Sequence, residues 1–232
     1  MVTQTARATA TSVTRTDQDL QNDVLDELAW DPRVSPTEVG VTVTEGVVTL
    51  TGWVGSYAAK WAAERAAHRV ARVRAVANDL TVRIAPSAQR TDADIALAAG
   101  RALEWDAFVP VESLEVTVAD GWVTLRGPVE WEYQRRAAER VVSRLTGVRG
   151  VSNGITVQPT NRSSGDELPE RIVDALARSG ATEPDRVSIR VYGDTAVLDG
   201  LVHSVTERDE VERIVWSAPG IREVHNHVTV TR

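Results

Sequence analysis

Two stretches of the chain set arginines beside tryptophans at helical spacing: Lys60, Trp61, Arg65, Arg69 and Arg72, then Trp131, Arg135, Arg136, Arg140 and Arg144. Guanidinium groups next to indole rings suit a phosphate-bearing surface, because the ring sits at an apolar boundary while the cation meets the anion. The bland reading is a solvated helix face whose glutamates Glu64, Glu139 and Glu212 pair with Lys60, Arg135 and Arg208 four residues earlier. Near Glu212 the chain instead gathers Glu207, Asp209 and Glu210, which should repel an anionic surface. Three histidines, His203, His225 and His227, fall near one another on predicted strands, but no metal-ligand spacing supports them and no metal or other cofactor is expected. The acidic positions Asp185, Asp194 and Asp199 offer a cation an alternative site. No catalytic triad, phosphate loop or recurring acid pair is present, so the sequence does not read as an enzyme.

These residues sit on a unit that occurs three times. Gly46 to Gly52 spells a turn and a strand closed by a glycine, and the pattern returns at Gly121 to Gly127 and, more loosely, at Gly193 to Gly200. Around each run the apolar positions keep their offsets. Leu20, Val24 and Leu28 become Ile95, Ala99 and Leu103, then Leu168, Ile172 and Leu176, a helical stripe each time. Val41 and Val43 alternate as a strand, and Val76, Leu80 and Val82 as another. Ser56 opens a second helix with Ala63, Ala66, Val70 and Val73 buried. The predicted fold is α+β: three tandem helix-strand-strand-helix-strand units, each a small three-stranded mixed sheet with two helices on one face. The units are expected at 17–84, 92–158 and 166–231, with linkers at 85–91 and 159–165.

Gly52, Gly127 and Gly200 are read as structural, serving a bulge or a close backbone approach. Asn78, Asn153 and Asn226 share the parity of the inward valines and are expected to satisfy backbone groups at the start of the last strand. Asp17 or Asp19 is the expected cap of the first helix. Trp30 and Trp105, at the ends of two first helices, are expected to lid the cores or to pack between units, and Trp53 and Trp122 imply a covered outer sheet face.

With no cysteine the chain has no disulfides or thiolate sites. A net charge of −7 argues against nucleic acid, and Gly147-Val148-Arg149-Gly150, though a GxxG, joins a helix to a strand. Residues 1–16 lack an apolar signal core and are expected to be a disordered tail. No stretch is apolar enough for a transmembrane segment, so a cytoplasmic location is expected.

The turn-strand-glycine run, the helix after it, and Val-x-Asn opening the last strand, with the asparagine 26 residues after the glycine in every copy, resemble the BON domain family. That resemblance implies a compact repeated unit without shared catalytic residues. It further implies attachment to phospholipid or envelope components, in osmotic or envelope stress. The reading at this point is a non-enzymatic protein that binds an anionic phospholipid surface through the arginine and tryptophan faces of the first two copies. The alternatives are a protein-protein interaction scaffold and a cation-responsive sensor.

Overall fold

The computed structural model describes residues 16–160, 168–180 and 182–231. Nearly all of the expected tail, and most of the second linker, lie outside them.

In the first unit, helix α1 (Asp17–Trp30) packs its Leu20, Val24 and Leu28 inward. Strands β1 (Val39–Thr44) and β2 (Val47–Val54) form an antiparallel hairpin. Helix α2 (Tyr57–Arg69) then crosses over and returns the chain to β3 (Ala75–Asn78) and β4 (Thr81–Val82), both parallel to β2. A parallel neighbour demands such a crossover, and the helix supplies it. The second unit repeats this with α3 (Asp92–Trp105), β5 (Glu115–Ala119), β6 (Trp122–Val129), α4 (Glu132–Val142) and β7 (Gly150–Val157). The third uses α5 (Leu168–Ser179), β8 (Val187–Tyr192), β9 (Thr195–Val202), α6 (Val205–Trp216) and β10 (Glu223–Val230). The α+β class and the repeated mixed sheet stand as read from the sequence. One detail differs, since the first unit's last strand is split into β3 and β4.

The strand glycines show why the pattern is repeated. Gly52, Gly127 and Gly200 have φ of 109°, 127° and 153°. A Cβ there would lie 2.1, 2.1 and 2.2 Å from the carbonyl oxygens of Glu38, Ser113 and Arg186, so only glycine admits that strand crossing. The hairpins follow the same logic. Glu45–Gly46 and Asp120–Gly121 have positive φ at both positions, whereas the third turn, whose glycine stands one place earlier, has it at Gly193 and not at Asp194, a different primed turn.

The helix cap is a correction. Thr16, not Asp17 or Asp19, is the N-cap: its hydroxyl accepts from the Asp19 amide, and the Asp19 carboxylate accepts from the Thr16 amide. Asp17 is thereby released to accept from the amides of Glu45 and Gly46, pinning the hairpin turn to the helix. Thr91, Asp94 and Asp92 repeat the whole device in the second unit, Asp92 holding Asp120 and Gly121.

The tryptophan expectations also change. Trp30 and Trp105 neither lid a core nor fill a junction; they are 83% and 87% exposed, because each lies at the last position of its helix, beyond the buried stripe. The outer sheet face is not sealed by a neighbouring repeat. Trp122 is half exposed, lies flat over Gly150 on the adjacent strand, and donates its indole N–H to Ser152 Oγ at 2.8 Å; Arg83 stacks on Trp53. The repeats meet instead through their second helices.

Candidate functional site between the second helices

Each repeat touches the other two around α2, α4 and α6. Between the first and second, Tyr57 packs against the second core, and its phenol is kept from ionising by burial first and by Glu139 next, while a backbone hydrogen bond from Val151 opposes them. Between the third and first, the Arg72 amide donates to the His203 carbonyl at 2.9 Å and Thr206 Oγ1 donates to the His68 carbonyl at 3.1 Å. Between the second and third, α4 and α6 leave a cleft of about 560 Å³, lined by Trp131, Glu132, Tyr133, Arg136, Arg140, Arg213, Trp216 and Ser217.

That cleft is built on a buried carboxylate. Glu132, in the first turn of α4, is only 3% exposed. Arg135 forks onto it at 2.7 and 2.8 Å, and Arg136 reaches the same carboxylate at 3.1 Å. Its negative charge holds Arg136 at the cleft wall and Arg135 behind it. On the facing helix Arg213 forks onto Glu210, which holds that carboxylate low, and the Trp216 indole reaches Glu212 at 3.3 Å. Arg140 has no ion pair among the described residues, so it is the cation left to meet a ligand. Tyr133, edge-on to Phe108 at 5.9 Å, extends the aromatic rim. A cluster of two arginines on one glutamate, a balanced Arg213–Glu210 pair, the unpaired Arg140 and a ring-lined wall suit a compact anion carried on an apolar body.

The arginine and tryptophan residues singled out from the sequence are divided by the fold. In the first copy Lys60 donates to the Leu80 carbonyl at 2.8 Å, Arg65 covers Trp61 at 5.2 Å, and Arg69 pairs with Glu27 and Asp31. Arg72 lies past the end of α2, at φ 72° in the third-to-first junction. These do not form one stripe. In the second copy Trp131, Arg136 and Arg140 converge in the cleft, Arg135 supports it through Glu132, and Arg144 lies beyond the end of α4. Arg213 and Trp216 complete the cleft. The recurrence of Arg213 with Arg65 and Arg140 pointed to one of them, but a face assembled from two repeats is invisible to a reading of each copy by itself.

The glutamate expected to ion-pair along the helix does something else. Glu64, Glu139 and Glu212 accept from Asn78, Asn153 and Asn226 at 2.9, 3.0 and 2.9 Å. Each asparagine Oδ1 also takes the amide two residues on, at Leu80, Ile155 and Val228, as its parity suggested. The pair locks helix to strand in every unit.

The other candidate clusters are separated or satisfied. His225 and His227 stand opposite Val197 and Asp199 of β9, whereas His203 lies beyond the end of β9 and sits against Arg186. Asp199 and Asp194 are held by Arg190 and Arg222.

The BON domain profile matches residues 16–84, 91–159 and 164–232. Osmotically-inducible protein Y of Escherichia coli K12 is 32% identical over 126 residues, covering 53% of this chain and 63% of that protein's length. Among solved structures, CdsD, a structural protein of the type III secretion system of Chlamydia trachomatis, is 16% identical across 92% of both chains with a TM-score of 0.25. Its C-terminal domain is 17% identical, across 92% of this chain and 98% of its own, at a TM-score of 0.24. Scores that low bear on neither fold nor function.

Proposed function

The chain belongs to the BON domain family, and on that premise we propose that it is a non-enzymatic binding protein that attaches peripherally to anionic phospholipid through the α4–α6 cleft. The observation that carries this reading is the convergence of Trp131, Tyr133, Trp216 and the free Arg140 on one cleft of headgroup size. The attachment is assigned to the second and third repeats rather than to the first and second. In the third repeat Glu210 is paired with Arg213 and Asp209 with Arg208, while Glu207 and Glu212 accept from the His203 amide and from Asn226, which lessens the repulsion expected of that face. Similarity to an osmotically inducible protein supports a role in osmotic or envelope stress. Among the described residues no helix is long and apolar enough to cross a membrane.

The net charge of −7 favours a second reading, a scaffold for protein partners without lipid affinity. The cation-responsive reading gains no such support, since Asp194 and Asp199 already have arginine partners.

The test is co-sedimentation of the full chain with vesicles of graded anionic content. Binding should rise with anionic lipid, weaken with salt and fall about tenfold or more in Arg140→Glu and in Trp216→Ala, since an anchoring aromatic or arginine at such a site contributes on that scale. Vesicles that leave the protein in the supernatant at every composition overturn the lipid reading in favour of the scaffold.

A further inference from the structure

The groove between first and second helices is present in the first and third repeats with opposite character. In the first repeat it is lined by Asp23, Asp26, Glu27, Trp30 and Val70. In the third, Arg171, Asp174, Ala175, Arg178 and Ala218 stand at the same five places, each 148 residues on. One groove is thus an acidic lip around a tryptophan that is 83% exposed. The other is a hollow of about 570 Å³ with an apolar floor, including Leu168, Ile172 and Ile214, between Arg171 and Arg178.

We propose that these two surfaces bind each other between copies of this chain, Trp30 of one copy seating in the α5–α6 hollow of the next. Three observations select a second copy as the occupant. The hollow lies within the volume range that holds a large apolar group. Trp30 is solvent-exposed, so it does not fill the hollow of its own chain. The charges are complementary on balance: Asp26 and Asp23 stand beside the ring with Glu27, which also pairs with Arg69, while Arg171 and Arg178 outnumber the single acid, Asp174, at the hollow. Tryptophan and arginine are also the side chains that most often dominate association. The two surfaces are different patches, so the contact is heterologous. Association continues from copy to copy unless the rotation closes a ring.

The experiment is sedimentation velocity of the full chain over a wide concentration range at low and high salt. The wild type should associate with rising concentration, less so at high salt. Trp30→Ala and Arg178→Glu should each weaken association about tenfold or more. Both substitutions are on the surface and leave the core intact. Each variant keeps one working surface, so an equal mixture should form one-to-one dimers and nothing longer at concentrations where either alone is monomeric. A wild type that is monomeric at every concentration, or association indifferent to both substitutions, overturns the proposal. So does a monomeric chain whose vesicle binding is lost in Trp30→Ala, because that outcome assigns the ring to lipid. The Arg140→Glu variant leaves both surfaces in place, so failure of the cleft reading and failure of this one are separable.

Discussion

Tyr57, Glu132 and Val205 occupy the same place in three copies of one unit, the first turn of the second helix, yet they stand beside three different junctions. Tyr57 pushes an aromatic ring against the core of the second repeat. Val205 is fully buried beside the junction that Thr206 and His203 make with the first repeat. Glu132 is as buried as a core residue but is charged, and it spends that charge on Arg135 and Arg136. Two junctions are therefore closed by apolar or backbone contact, and the third is propped open by a buried ion cluster, leaving a ring-lined cleft. One fold position yields a seal or a candidate site according to whether its side chain must keep arginines beside it.

The sharpest way to break this contrast is to move the charge. Val205→Glu would bury a carboxylate in the third repeat's own core, where helical spacing offers it Arg208 alone and that arginine stands beside Asp209, and urea unfolding should show a loss of about 3–5 kcal/mol. If the third-to-first junction tolerated it, the distinction between sealed and open junctions would fail. Glu132→Ala should cost about 2–3 kcal/mol, somewhat less because Arg135 and Arg136 reach solvent when released. It should also lower vesicle binding through disordered cleft walls, while a double Glu132→Met/Arg135→Met variant regains stability without regaining binding. Tyr57→Ala removes a half-buried ring and should cost about 1–2 kcal/mol, with vesicle binding unchanged.

The parts of this architecture legible in the sequence are those that one repeat dictates to itself. Gly52 recurs because a Cβ would strike the Glu38 carbonyl, and that demand is identical in each copy. Asn78 recurs because the strand start needs its amide, although its second partner, Glu64, looked like a surface charge until helix and strand were placed together. Trp30 and Trp105 misled for the opposite reason: a large apolar residue at a helix end suggests burial, but the position beyond the stripe faces water. Glu132 could not be read at all. Nothing in a single helix distinguishes a solvated glutamate from one that a neighbouring repeat covers, and the cleft with Arg213 and Trp216 exists only because two repeats meet.

The smallest effect tests the third-to-first junction by pH. His68 is partly buried there, with its carbonyl taken by Thr206, and burial is the main influence lowering its pKa. Glu64 and Asp209 pull it back up, while Arg208 and Arg65 add to the lowering. The folded chain therefore prefers the neutral ring more than the unfolded chain does. As pH falls through about 6.5 the unfolded chain takes up the proton first, so stability drops from there until the folded-state pKa is passed, and then levels. His68→Gln should flatten that drop without abolishing the fold. Asp31 provides the contrasting titration: Arg33 holds its buried carboxylate well below the usual range, so its contribution persists until the pH falls below about 4. Two separate steps in the unfolding midpoint, the upper one removed by His68→Gln and the lower by Asp31→Asn, would assign the mildly acidic response to the junction. A single step unaffected by His68→Gln would mean that this junction carries no titrating charge and is held by the hydrogen bonds of Thr206 and Arg72.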